Sequence, residues 1–169
     1  PIGNWGDMPL RALETLKKAD VIFCEGTRVT AKLLARYEIA KPLIRSDENK
    51  EDVAAQKALM MLEEGKHIAL VSDAGTPGIS DPGSRFVALV RAHGGGIKIE
   101  TIPGPSALTA ALSIAGISST DFLFLGFLPH KKGRQTLFRA IAKEERTVVF
   151  YDSPHRILHA LGSLVYGLP

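Results

Sequence analysis

Two carboxylates, Asp73 and Asp81, stand in the stretch Ser72-Asp73-Ala74-Gly75-Thr76-Pro77-Gly78-Ile79-Ser80-Asp81-Pro82-Gly83, interleaved with three glycines and two prolines. The stretch follows the apolar run 67–71, which reads as a buried strand, and precedes 84–90, which reads as a helix. Strand-to-helix connections in α/β units normally take about two to six residues, so this one is long. Glycine allows close backbone approach and positive φ, and proline stiffens the path. Ligands of open α/β sheets bind beyond the carboxyl ends of the strands. Carboxylates and free backbone groups at such a place suit an uncharged purine-ribose or a cation. The competing reading is that both aspartates merely cap turns, and residue types leave the two open.

Other chemistries fail on spacing. Gly78-Ile79-Ser80-Asp81-Pro82-Gly83 has the glycine interval of a phosphate-binding P-loop. Ser84 stands where its lysine belongs, and Asp81 would repel a phosphate. No G-x-G-x-x-G follows a strand, which removes the dinucleotide fingerprint. Gly104-Pro105-Ser106-Ala107-Leu108 resembles a nucleophile elbow but lacks its last glycine, so Ser106 reads as a helix-start donor. The five histidines are scattered, and His155 and His159 lack an H-E-x-x-H setting, so no metal site is expected. His130-Lys131-Lys132-Gly133-Arg134 could track a nucleic-acid backbone, or could be a solvated helix start. Arg28, Lys32 and Arg36 form a second basic helix face with the same two readings.

The elements that must position these residues alternate between the two periodicities. Leu10, Leu13 and Leu16 mark a helix, with Asp7 as a cap and Pro9 near its first turn. A strand is expected over 21–24, a helical stripe over Val29, Leu33, Leu34 and Tyr37, and a short strand over 42–44. A long helix carries Val53, Leu59, Met60 and Leu62 and ends at Gly65. After the strand at 68–71 and the long loop, a helix runs from about Pro82 to His93, stopped by Gly94-Gly95-Gly96. A strand is expected over 97–102, and Pro103-Gly104-Pro105 opens a helix of small residues through Ala115. Beyond the polar stretch 116–120, strands at 122–128 and 147–151 alternate with helices at 134–142 and 154–165. Repeated βα alternation implies a largely parallel sheet flanked by helices.

The chain has 169 residues and a formal net charge of +3, which permits a nucleic-acid partner without requiring one. The one cysteine, Cys24, lies in an apolar run and reads as a small buried hydrophobe; a reducing, cytoplasmic compartment is expected. No apolar run reaches the roughly 18 residues of a membrane span. Both ends read as interior to a longer chain: Pro1-Ile2-Gly3-Asn4 looks like mid-turn, and Tyr166-Gly167-Leu168-Pro169 follows a helical pattern. The expected division is an N-terminal α/β domain over 1–115, without its first strand, and a smaller, incomplete α/β domain over 120–169.

Six ordered motifs then carry a resemblance: 1–7, Cys24-Glu25-Gly26-Thr27-Arg28-Val29-Thr30, 72–83, Pro103-Gly104-Pro105-Ser106-Ala107, 124–129 and Phe150-Tyr151-Asp152-Ser153-Pro154-His155-Arg156. Together they resemble the bacterial 16S ribosomal RNA cytidine 2′-O-methyltransferases of the tetrapyrrole methylase superfamily. The resemblance implies a two-domain α/β fold, a homodimer, and S-adenosyl-L-methionine held between the domains. It places Ile2 and Gly3 in the first glycine-rich turn, and Ala74, Gly75, Thr76, Gly78 and Ile79 in the cofactor loop. Ser106 and Ala107 match the second wall, and Asp152 the closing side. It implies small-subunit ribosomal RNA as substrate. For that chemistry the expected base or orienter is Asp73 or Asp81, with Arg28 positioning a phosphate and Lys131, Lys132 and Arg134 on the flanking backbone. Family members usually carry Asp where this chain has Gly26, a loss that bears on catalysis or dimer contacts. The rival expectations are a methylase acting on a tetrapyrrole carbon and a non-catalytic binding module.

Overall fold

A computed structural model describes residues 1–167, in two compact units, 1–107 and from 108 onward. In the first unit a short 3-10 turn, Trp5–Asp7, leads into α1 (Leu10–Lys18), β1 (Val21–Cys24), α2 (Thr27–Arg36), β2 (Leu43–Arg45), α3 (Glu51–Glu63), β3 (Ile68–Val71) and α4 (Ser84–His93). The strands form a parallel sheet in the order β2-β1-β3. β1 is central: Ile22 lies opposite Leu43 on one side and Ala69 on the other.

All four residues of β1 are buried, and alternation along the strand sends them to two separate cores. Val21 and Phe23 face α3 and α4, packing with Ala54, Ala55, Ala58 and Phe86. The Phe23 and Phe86 rings meet at 5.3 Å and 59°. Ile22 faces the other layer with Leu16, Ala19, Leu34, Ile39 and Ala69. Helices on both faces of a parallel sheet explain why β1 is apolar without interruption. Cys24 is buried with it, and burial pushes its thiol pKa up.

Three local expectations need correction. The fully buried positions of α3 are Ala54, Ala55 and Ala58; Leu59 and Leu62 pack partly buried against the same core as expected, whereas Val53 and Met60 are 70% and 58% exposed. Small side chains let α3 approach α4 and the sheet closely, and that geometry outranks hydrophobicity in deciding which face turns inward. Residues 97–102 form no strand, because no strand pairs with them among the described residues. Side-chain bonds hold this segment instead: Arg11 donates to the Thr101 carbonyl at 3.3 Å and lies 3.7 Å from Glu100. Asp7 does not cap α1. It belongs to the 3-10 turn, which Asn4 caps by accepting the Gly6 N–H at 3.0 Å, and Pro9 stands at the N-cap of α1 with no side-chain bond.

The second unit holds α5, which begins on the last residue of the first (Ala107–Ile114), then β4 (Phe122–Phe127), α6 (Arg134–Ile141), β5 (Thr147–Tyr151) and α7 (Ile157–Gly167). β4 and β5 pair in parallel, with a register irregularity between Phe124 and Phe127. Leu128, Phe138 and Ala160 form the core.

The alanine face is testable. Ala58→Leu, at a fully buried site, should destabilise the protein by about 1–3 kcal/mol through overpacking. Val53→Ala should stay within about 0.5 kcal/mol, as surface changes do. Urea denaturation of both variants measures the contrast.

Candidate functional site

The carboxyl ends of β1 and β3 lie side by side, because Cys24 pairs with Val71. Each strand leads directly into a segment bearing carboxylates: Glu25 after β1, and Asp73 and Asp81 in the loop after β3. Strand pairing therefore joins residues that are nearly fifty apart in sequence. Asp73 Oδ1 accepts the Gly26 N–H at 3.0 Å, tying the loop to the N-terminal end of α2. This N–H has no intrahelical partner, so a carboxylate there also meets the positive end of the helix dipole.

Gly26 is required by this approach. A Cβ at position 26 would stand 2.6 and 2.8 Å from the Asp73 oxygens. Its φ of −110° is open to any residue, so the constraint is space rather than backbone conformation. The carboxylate of Asp73 fills the room that a side chain at position 26 would need.

The loop folds onto itself. The Ser72 hydroxyl donates to the carbonyls of Ala74 and Gly75 at 3.3 and 3.4 Å, and the Gly78 N–H donates to the Pro82 carbonyl at 3.1 Å. Gly83 closes it at φ +133°, where a Cβ would meet the Gly78 nitrogen at 3.2 Å. Its N–H donates to the buried Glu51 carboxylate of α3, which anchors the loop to the core. That anchor, with Gly83 standing as N-cap, starts α4 at Ser84 rather than near Pro82.

Glu25, Asp73 and Asp81 act on one another electrostatically. Burial pushes the Asp81 pKa up to about 6, helped by the charges of Glu25 and then Asp73. Burial likewise raises Glu25, with Asp73 adding to it. A carboxyl near 6 can exchange a proton close to neutral pH. Among the described residues, no group of three or more His, Cys, Asp or Glu side chains is arranged to hold a metal ion.

The Gly75 N–H donates to the Pro1 carbonyl at 3.3 Å, and a Cβ on Gly75 would lie 3.9 Å from Ile2 Cγ2, so Ile2 stands beside Gly75. Ile79 lies on the same loop, 53% exposed. Arg28 lies exposed in the first turn of α2, two residues beyond the Gly26–Asp73 bond. Ser106 and Ala107 stand at the start of α5, within the first unit. Glu25 escaped the sequence reading. Its signal was its place immediately after a continuous apolar strand, where the strand-end rule puts ligand groups. Two open surface depressions lie elsewhere, one lined by Ala31, Leu34, Ile39 and Leu43 and one by Arg91, Gly94 and Ile97, and neither includes residues of the loop.

In the second unit two expectations change. Arg134 is buried, not presented to a backbone: it donates to the Pro129 carbonyl at 3.1 Å, reaches Asp152 at 3.4 Å and stacks on Phe138 at 5.2 Å. Asp152 has no exposed side-chain surface; Arg134 and Arg156, the latter at 2.9 Å, occupy its oxygens. Its carboxylate therefore serves as a counter-ion to both guanidinium groups. Lys131 and Lys132 remain exposed.

The Gly26–Asp73 contact predicts non-additivity. In Gly26→Ala the exposed Asp73 side chain should swing away and spare the fold. Gly26→Ala and Asp73→Ala should then each cost about 1 kcal/mol, and the double variant no more than the worse single, in urea denaturation.

The comparisons with known proteins bear on this site. The chain is 44% identical to a protein of Thermotoga maritima over 98% of its own length and 73% of that protein's. It is 46% identical to proteins of Mesorhizobium japonicum and Escherichia coli O157:H7, covering 99% and 98% of this chain but 57% of each relative. All three bear the name ribosomal RNA small subunit methyltransferase I. The chain thus spans somewhat more than half the length of most of these relatives. A crystal structure of diphthine synthase shares the fold, with a TM-score of 0.71 at 16% identity over 98% of this chain and 68% of that one. The sequence profile of the Tetrapyrrole (Corrin/Porphyrin) Methylases matches residues 1–166, and the chain belongs to that family.

Proposed function

We propose that this chain carries the catalytic loop of an S-adenosyl-L-methionine-dependent methyltransferase that modifies the 2′-oxygen of a cytidine ribose in 16S ribosomal RNA of the small subunit. The observation that carries this reading is the convergence of Glu25, Asp73 and Asp81 at the adjoining ends of β1 and β3, with Asp81 raised to about 6. The ribosomal substrate is supported by the names of relatives 44–46% identical over nearly the whole chain.

The residues present fit the cofactor. Three carboxylates favour a cation, and a sulfonium is one. When bound, S-adenosyl-L-methionine supplies a methyl group on a positively charged sulfur, which is a good leaving group. Ile2, Gly3, Ala74, Gly75, Thr76, Gly78 and Ile79 would hold it, with Ser106 and Ala107 as a further wall. The Gly26–Asp73 bond fixes the loop against α2. Asp81 takes the proton of the ribose 2′-hydroxyl as that oxygen accepts the methyl group. Arg28 holds a neighbouring phosphate, so that the hydroxyl lies in line with the methyl. Alignment of this kind can supply up to about 7–11 kcal/mol of barrier lowering, and a positioned base roughly a further 10²–10⁴-fold. The 2′-hydroxyl also distinguishes RNA from DNA at such a site. A homodimer and a cytoplasmic setting belong to the same proposal.

The test is transfer of labelled methyl to small ribosomal subunits from a strain lacking the activity, followed by nucleoside mapping. The expected product is 2′-O-methylcytidine in 16S RNA. Methylation of a tetrapyrrole carbon would move the chain to small-molecule chemistry, and cofactor binding without transfer to either substrate would make it a binding module.

A further inference from the structure

We propose that the exposed face of α2, formed by Arg28, Lys32 and Arg36 with Trp5 at its far end, is a track for the RNA phosphate backbone leading away from the catalytic loop. The proposal rests on the RNA-methyltransferase reading above. Residues four apart on a helix share one face. At 1.5 Å per residue the three cations span about 12 Å. All three are exposed, none forms an ion pair among the described residues, and the α2 sequence TRVTAKLLAR contains no acidic residue.

A solvated surface helix ordinarily intersperses charges of both signs. Within α2 the charges are of one sign, the nearest following acid being Glu38 beyond its end. Acids collect at the ends of β1 and β3, and bases begin two residues past Gly26 and run down the helix. A polyanion would be repelled at the loop and attracted along α2, so only the target ribose needs to approach the carboxylates.

Trp5 gives the far end a fixed form. The Arg36 guanidinium sits 5.3 Å from the centre of the indole, which is itself 40% exposed. The Tyr37 hydroxyl donates to the Trp5 carbonyl, tying the 3-10 turn to the end of α2. A guanidinium held over a ring loses less freedom when it meets a phosphate than a free one does, and it presents planar, bidentate donors. The cations therefore form a ridge with one anchored end, which suits a chain of evenly spaced phosphates.

The test measures affinity of the full chain for a fluorescent single-stranded oligoribonucleotide across a salt series. Three proteins are compared: wild type, Lys32→Gln/Arg36→Gln, and Lys17→Gln/Lys18→Gln, which removes the same charge from the exposed end of α1. Binding of S-adenosyl-L-methionine is followed separately by calorimetry. Each lost contact to a single strand should lower the slope of log K against log salt by about 0.7. The α2 variant should therefore lose about 1.4 from that slope and at least fivefold in affinity at low salt, with cofactor binding unchanged. The α1 variant should match wild type. An unchanged slope in the α2 variant, or an equal loss in the α1 variant, overturns the track while leaving the RNA reading standing. A wild type that binds the cofactor but no RNA overturns the reading itself, and the track with it. Competition by poly-glutamate as effective as RNA, charge for charge, would make the ridge a generic anion surface and overturn the RNA assignment.

Discussion

The bond between the Gly26 N–H and the Asp73 carboxylate is the joint on which the site depends. It links the segment after β1 to the loop after β3 at the point where two parallel strands end together. Remove it and the loop keeps its own internal turns and its anchor on Glu51, but loses its registration against α2. The bond exists because position 26 is glycine, since any Cβ would stand within 2.6 Å of a carboxylate oxygen. Glycine at position 26 thus has a definite physical role in this chain.

The cost of gathering carboxylates is visible in their pKa values. Asp81 and Glu25 are both raised, by burial first and by neighbouring negative charge second. That electrostatic tension suits the proposed methyl transfer. It favours a bound cation, and it keeps one carboxyl close to its protonation midpoint. The surrounding core makes the tension sustainable. β1 is buried from end to end between two helical layers, so the strand ends that present the acids are packed from both sides.

The sequence was most legible where a single local signal decided the structure. β1 and β3 are short apolar runs, the strand-end loop is long and glycine-punctuated, and all were placed correctly. It was least legible where distant residues decide. The buried face of α3 is alanine, which carries little hydrophobic signal, so Val53 and Met60 looked more central than they are. Residues 97–102 have the β-branched composition of a strand, but a strand also needs a partner. Arg134 sits in a run of cations that reads as surface, and only the fold reveals that it serves Asp152. Glu25 follows an apolar strand, which is a local signal, but only the pairing of β1 with β3 brings it to Asp73 and Asp81.

In the proposed reaction Asp81, tuned by Glu25 and Asp73, takes the proton during methyl transfer to small-subunit ribosomal RNA. The most direct measurement is the single-turnover methylation rate against pH at saturating cofactor, for wild type and Asp81→Asn. A base must be ionised to act, and the carboxyl of Asp81 titrates near 6. A bound sulfonium favours the ionised carboxylate, so the wild-type rate should rise with pH through an inflection at or below about 6 and level off above it. Asp81→Asn should be slower by roughly 10²–10⁴-fold and lose that inflection. An Asp81→Asn enzyme with the wild-type rate and the wild-type pH profile would show that Asp81 is not the base.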